Sequence, residues 1–204
     1  MGGVLLVSKP TYRSLRPVYP LIAQQLLDDY RINSGKCVDL GTGHGYLGIE
    51  LAKITSLEIY FVDLDPEVLN KARENVALDK LDNVVHFVNA DVAALPFADN
   101  FAELVISRGS LWFWEDQVKG LQEANRILKP GGVAFIGGGL GRYTPPTMRQ
   151  RLQGLGRKKM EKKGHTGFLR GAKLEELVKK TGIANYRLIS DVEGEPGHWI
   201  EIKK

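Results

Sequence analysis

The chain is poor in cysteine and has no long apolar run. Cys37 is its only cysteine, so it can form no intramolecular disulfide and no thiolate metal cluster. One thiol in 204 residues suits a reducing compartment, and a cytoplasmic protein is expected. No stretch reaches the roughly 18 apolar residues that span a bilayer. The opening MGGVLLVSKP has an apolar run too short for a signal-peptide core, with no basic residue ahead of it. Leu6 stands where a myristoylation motif needs Ser or Thr. The histidines, His44, His86, His165 and His198, lack the H-E-x-x-H spacing of a zinc site, so no metal is expected. Linkers, repeats and low-complexity tracts are also missing. Residues 1–204 are therefore expected to form a single domain, as the prior of about 100–200 residues per domain allows.

Acids are nearly absent from one segment. Between residues 142 and 173 ten Lys and Arg face one acid, Glu161. The overall charge is +4, so the rest of the chain is acidic and the basic character belongs to this segment alone. A solvated face is the ordinary reading of such a run. The functional reading is a lid-like insert that draws in an anionic substrate or partner. Glycine, by contrast, is abundant, at 23 residues. Ten of these fall in two clusters, Gly41, Gly43, Gly45 and Gly48, then Gly131, Gly132, Gly137, Gly138, Gly139 and Gly141.

Strand-length apolar runs alternate with helical patterns. Val18, Leu21, Ile22, Leu26 and Tyr30 recur at helical spacing and predict an N-terminal helical cap within residues 1–33. KCVDL (36–40), EIYFVD (58–63), VVHFVNA (84–90), ELVIS (103–107) and VAFIGG (133–138) read as buried strands. Helices are expected from the glycine turn to about Ile54, from Pro66 onward, over residues 116–128 and around Leu174–Val178. LKPGG (128–132) carries helix-stopping chemistry. ANYRLIS (184–190) and HWIEI (198–202), joined through GEPG, suit an antiparallel hairpin. Continuous apolar strands between helices imply an α/β fold, a parallel sheet with helices on both faces.

The run VDLGTGHGYLG (38–48) joins the first strand to a helix. Glycines there allow a tight turn and let backbone amides approach a ligand at the helix N-terminus. Gly43-His-Gly45-Tyr-Leu-Gly48 matches the dinucleotide pattern G-x-G-x-x-G, a weak signal alone. Its first glycine stands three residues past Leu40, however, whereas a dinucleotide loop begins directly after its strand. The better register takes Asp39 as the strand's end and Gly41-Thr42-Gly43-His44-Gly45 as the loop. Asp63 ends the second strand, where a carboxylate can accept from ribose hydroxyls. Asp91, just past the third strand, has no counterpart in the nicotinamide fingerprint.

With these residues in place, the chain resembles the class I S-adenosylmethionine-dependent methyltransferases. The resemblance rests on VDLGTGHGYLG, FVDLDPEVLNKARENV (61–76), VNADVAALPFADNFAELVISRGSLWFW (88–114) and ANRILKPGGVAFIGG (124–138), in that order. It is greatest toward the small-molecule branch related to quinone-biosynthesis enzymes. SRGSLWFWED and FIGGGLG also resemble a group of uncharacterised archaeal and bacterial members. The resemblance implies a doubly wound Rossmann-like sheet of order 3-2-1-4-5-7-6 with strand 7 antiparallel. It implies S-adenosyl-L-methionine as cofactor and S-adenosyl-L-homocysteine as product. Gly41, Thr42, Gly43 and Gly45 would wrap the methionine part, with Asp39 orienting that loop. Asp63 would bind the ribose hydroxyls, Leu64 would flank the adenine, and Asp91 and the Val92 amide would meet its edge. Ser107 and Arg108 would touch the methionine amino group through their backbone, and Tyr19 would lie near that same end.

Other residues are weighed individually. Cys37 reads as a buried strand residue. Trp112, Phe113 and Trp114 cannot all face one core, so at least one should meet the cleft or a lid. No Asn/Asp-Pro-Pro-aromatic motif follows the fourth strand, where SRGS stands, and no cysteine is placed for pyrimidine carbon methylation. Tyr12, Arg13, Tyr19, Arg108, Trp112 and Tyr143 are candidates to border a methyl acceptor. A small-molecule acceptor, of anionic character, is the favoured expectation. An RNA or protein methyltransferase working through residues 142–173 is the alternative. An NAD-dependent oxidoreductase and a non-catalytic cofactor-binding regulator rank below it.

Overall fold

The computed structural model describes residues 15–152 and 169–204. A short 3-10 turn, Arg16–Val18, leads into α1 (Tyr19–Tyr30). Next come β1 (Ser34–Leu40), α2 (Tyr46–Ala52), β2 (Ser56–Asp63), α3 (Pro66–Asp79), β3 (Val85–Asn89) and β4 (Ala102–Arg108). A second 3-10 turn, Leu111–Phe113, precedes α4 (Gln117–Ile127) and β5 (Leu128–Gly137). Then follow α5 (Pro146–Leu152), α6 (Ala172–Lys180), β6 (Tyr186–Ile189) and β7 (Trp199–Lys203). No helix among the described residues is long and apolar enough to cross a membrane.

The strands form one sheet in the order β3-β2-β1-β4-β5-β7-β6. Strands β1 to β5 pair in parallel, and β7 runs antiparallel to both its neighbours. Side-chain alternation splits each strand between two cores. Cys37, Phe61, Leu104, Ile106 and Phe135 face α1, α2 and α3 through residues such as Ile22, Leu26, Ile49 and Leu69. Val38, Leu40, Val62, Val105 and Ile136 face Leu121, Ala124, Leu174 and Val178 of α4 and α6. Helices therefore cover both faces. Among the described residues, the starts of α3 and α4 carry side-chain caps. The Asp65 carboxylate accepts from the Glu67 and Val68 amides, with Pro66 as the first helical residue, and Asp116 accepts from the Lys119 amide. Each satisfies a donor that a helix start would otherwise leave open.

Strand β5 starts earlier than its sequence indicates. Leu128 pairs with Ala102 and Val133 with Leu104, so four residues of one strand oppose one of the other. Lys129-Pro130-Gly131-Gly132 thus forms a bulge inside the strand rather than a break before it. Pro130 is tolerated there because a bulge leaves residues out of the ladder.

The hairpin that closes the sheet carries a buried acid. Glu201 on β7 accepts from Tyr30 Oη of α1 at 2.7 Å and from Arg187 Nε and Nη2 at 2.6 and 2.9 Å. Burial pushes its carboxyl up, but the Arg187 and Tyr30 bonds outweigh this and hold it below the usual carboxylate range. The start of the basic segment is also docked. Arg142 pairs with Asp29 of α1, and its amide donates to the buried Gln25 side chain at 2.7 Å. Tyr143 Oη donates to Asp28 at 2.7 Å. Arg149 reaches Asp191 at 3.3 Å and the Gly141 carbonyl at 2.8 Å. Met148 and Leu152 pack on the α1–α3 core. The remaining basic cluster, Arg157 to Lys163, lies outside the described residues.

Trp199 is fully buried, stacks on Phe135 at 4.4 Å between ring centroids and donates to Asp191 at 2.8 Å. Trp199→Ala is expected to lower stability by about 3–5 kcal/mol, the range for deleting a buried aromatic. Urea unfolding measures this. A loss within about 0.5 kcal/mol, the scale of surface substitutions, would show that the hairpin is not seated through this residue.

Candidate active site

Ligands of open α/β sheets bind at the carboxyl ends of the strands, where neighbouring strands feed helices on opposite faces. Here that point lies between β1, which leads to α2, and β4, which leads to α4. The loop from β1 to α2 is built on Asp39. Its carboxylate is buried and accepts from Thr42 Oγ1 at 2.7 Å and from the Gly48 amide at 3.3 Å. Burial pushes the carboxyl up to about 7, against the two bonds, which favour the charged form.

Asp63 closes the loop from the next strand. Its Oδ2 accepts from the Gly43 amide at 2.9 Å and its Oδ1 from the Asp65 amide at 3.1 Å. The Thr42 amide donates to the Val62 carbonyl at 2.9 Å. Gly43 lies at φ +60°, and a Cβ built on it meets no atom within 4 Å, so open space stands over this backbone. Gly41 has a different constraint. A Cβ there would stand 2.5 Å from Ser110, so only glycine admits the close approach of β4's exit.

Along the edge toward β3, the Leu64 side chain is 67% exposed. Asn89 Nδ2 donates to the carbonyls of Asp63 and Leu64 at 3.0 and 2.9 Å and so fixes that turn. Asp91 Oδ1 accepts from the Ala93 amide at 2.9 Å, which makes Asp91 at least the cap of its own turn. The Val92 side chain is buried in the α4 core.

Toward β4, Ser107 is fully buried and its hydroxyl meets that of Ser110 at 2.6 Å. The Ser107 hydroxyl is thus engaged inside the protein. Ser110 Oγ also donates to the Leu40 carbonyl at 3.0 Å and lies 3.0 Å from the donating Trp114 Nε1. Arg108 and Tyr19 meet here, with guanidinium Nη1 3.3 Å from Tyr19 Oη. Tyr19 in turn packs against Tyr46, and Tyr46 against His44. The aromatic run divides as its crowding requires. Trp112 and Trp114 are buried, whereas Phe113 is 38% exposed. Tyr143 is engaged by Asp28 on the outer side of α1, and Tyr12 and Arg13 lie outside the described residues.

The structure thus brings Asp39, Thr42, Gly43 and Asp63 into one hydrogen-bonded unit, with Leu64 and Asp91 on one side and Tyr19, Ser107 and Arg108 on the other. Three supporting residues escape a reading of the sequence. Asn89 and Ser110 act on carbonyls of other strands, and Asn75 Nδ2 of α3 donates to the His44 carbonyl at 2.8 Å. Their only trace in the chain is nearness to motif residues, as in VNAD and SRGS.

Comparison with known proteins agrees with this geometry. A family described as a methyltransferase domain matches residues 38–136. The rice chloroplastic 2-methyl-6-phytyl-1,4-hydroquinone methyltransferase 1 is 36% identical over 102 residues, covering 50% of this chain and 30% of that protein. The demethylmenaquinone methyltransferase of Chlorobaculum parvum is 36% identical over 101 residues, covering 50% and 39%. The chain therefore spans about a third of the length of these curated relatives. A crystal structure from Methanococcus maripaludis, provisionally described as an S-adenosyl-L-methionine-dependent methyltransferase, matches with a TM-score of 0.79 and 30% identity over 95% of this chain and 88% of that one. On this near-complete match the chain belongs to the S-adenosylmethionine-dependent methyltransferase family.

Proposed function

We propose that this protein transfers a methyl group from S-adenosylmethionine to a small-molecule acceptor that carries an anionic group. The observation that carries this reading is the unit of Asp39, Thr42, Gly43 and Asp63, with open space over Gly43 and an exposed Leu64 beside it. The parts fit the cofactor. Gly41, Thr42, Gly43 and Gly45 present a close backbone to its methionine part. Asp63 would accept from the ribose hydroxyls, Leu64 would lie on the adenine, and Asp91 and the Val92 amide would meet the adenine edge. Ser107 and Arg108 would approach the amino-acid end through their backbone, with Tyr19 close by. The bound cofactor supplies an electrophilic methyl on a sulfonium, whose thioether is the leaving group.

In such a displacement the protein chiefly orients two reactants. Asp39 holds the loop in register with α2, and Asp63 holds it in register with β2. Phe113, partly exposed after β4, would offer the acceptor an apolar surface. The names of the rice and Chlorobaculum relatives point to quinone-type acceptors, which supports a flat small molecule here. The basic run from 142 to 173 supports an anionic one, although Arg142 and Arg149 are engaged by Asp29 and Asp191. The same reading takes 1–204 as one domain, with 1–33 as a cap and 142–173 as a lid. The single cysteine, buried in β1, supports a cytoplasmic setting.

Two measurements test this. Asp63→Ala is expected to weaken S-adenosylhomocysteine binding by about 1.5–3 kcal/mol, the scale of hydrogen bonds to a charged group, as read by calorimetric titration. Unchanged affinity would remove Asp63 from the site. In a thermal-shift panel, S-adenosylmethionine and S-adenosylhomocysteine should stabilise the protein, by about 2.7 kcal/mol at a hundredfold excess over Kd. NAD and NADP should not, because Asp63 repels a 2′-phosphate and Asp91 has no nicotinamide role. Stabilisation by NAD alone would overturn the assignment.

A further inference from the structure

Three arginines among the described residues are partly buried, Arg108, Arg126 and Arg149. Arg126 meets Glu123 and Asp99, and Arg149 meets Asp191. Arg108 meets no carboxylate among the described residues. It is held by neutral groups instead. Nε donates to the Gly139 carbonyl at 3.1 Å, Nη1 to Tyr19 Oη at 3.3 Å, and the guanidinium carbon stands 5.0 Å from the Tyr19 ring centroid. A guanidinium taken from water without a counter-ion is costly. Three neutral anchors fix its plane and leave the edge formed by Nη1 and Nη2 able to grip an oxyanion in a bidentate fashion.

The position of Arg108 on the edge narrows the source of that oxyanion. Asp63 ends β2 with Leu64 just after it, Gly43 follows β1, Arg108 ends β4 and Gly139 lies past β5, in the spatial order of the sheet. The guanidinium is held between the Gly139 carbonyl, past β5, and Tyr19, which itself packs on Tyr46 at the start of α2. Beside it Gly109, at φ +74°, has no atom within 4 Å of a built Cβ. Open space therefore also stands over the backbone at the exit of β4. We propose that Arg108, steadied by Tyr19 and the Gly139 carbonyl, is the specificity residue that receives a carboxylate or phosphate group of the methyl acceptor. This rests on the methyltransferase reading above.

The test uses wild-type protein, Arg108→Gln and Arg108→Lys. Each is titrated first with S-adenosylhomocysteine and with 5′-methylthioadenosine, which lacks the amino-acid carboxylate. Each is then saturated with S-adenosylhomocysteine and titrated with benzoate, phenyl phosphate and neutral benzamide. Both substitutions keep the backbone of residue 108, so any change in cofactor-product affinity is read separately from anion binding, and methylthioadenosine shows whether it comes from the cofactor's own carboxylate. Anion binding should fall about tenfold or more in the Gln variant, the effect of losing a charged hydrogen-bonded pair. It should fall less in the Lys variant, which keeps the charge without the planar fork and still reports if the Gln variant does not fold. Benzamide should bind all three equally. Equal anion binding in wild type and variants would overturn the proposal. So would a tenfold loss of S-adenosylhomocysteine affinity with methylthioadenosine unaffected, which would assign Arg108 to the cofactor's own carboxylate. A wild-type protein that binds neither cofactor product nor methylthioadenosine would instead overturn the methyltransferase reading.

Discussion

The site depends on one buried carboxylate. Asp39 lies at the end of β1, where strand pairing to β2 and β4 removes it from water. A buried acid must find donors, and the donors at hand are the Thr42 hydroxyl and the Gly48 amide. Satisfying Asp39 therefore folds residues 41–48 back over the strand. That fold brings the Gly43 amide to Asp63 and links the loop to β2. The value near 7 that burial imposes on Asp39 is the cost of this arrangement, and the two donors limit it.

From that loop the cleft is extended by side chains on other strands, each acting on backbone. Asn89 holds the turn after β2, Asn75 holds His44, and Ser110 ties the exit of β4 to the end of β1. The cleft floor is thus a set of fixed carbonyls and amides rather than of mobile side chains, as close ligand approach requires. Its outer wall is α1, joined to the β5 exit by Gln25, Asp28 and Asp29, and to β7 through Tyr30. Arg108 and Tyr19 meet where this wall reaches the end of β4. The helical cap and the carboxyl edge of the sheet are therefore parts of the same site.

Much of this was legible along the chain. Continuous apolar strands gave away a parallel sheet, because strands covered on both faces have no polar side to show. GEPG between two apolar runs marked the hairpin. The pairing of VDLGTGHG with Asp63 eighteen residues past Gly45 located the loop. The LKPGG segment misled in one respect. Its proline and glycines are helix breakers locally, yet pairing of Leu128 with Ala102 pulls them into β5 as a bulge. The segment does stop α4 at Ile127, and only the partner strand decides where β5 begins.

Local sequence settled most of the strands and helices, though not where β5 begins, and it settled where the glycine loop begins. These depend on spacing and on backbone freedom within a few residues, both visible in the chain itself. The tertiary structure decided what each charged group does. Arg142, Arg149 and Arg187 read alike as basic residues, yet each is neutralised by an acid from a distant segment, Asp29, Asp191 and Glu201. Arg108 is left with a carbonyl, a hydroxyl and a ring. A charge is defined by its neighbours in space, and folding chooses those neighbours across separations that no local pattern in the sequence records.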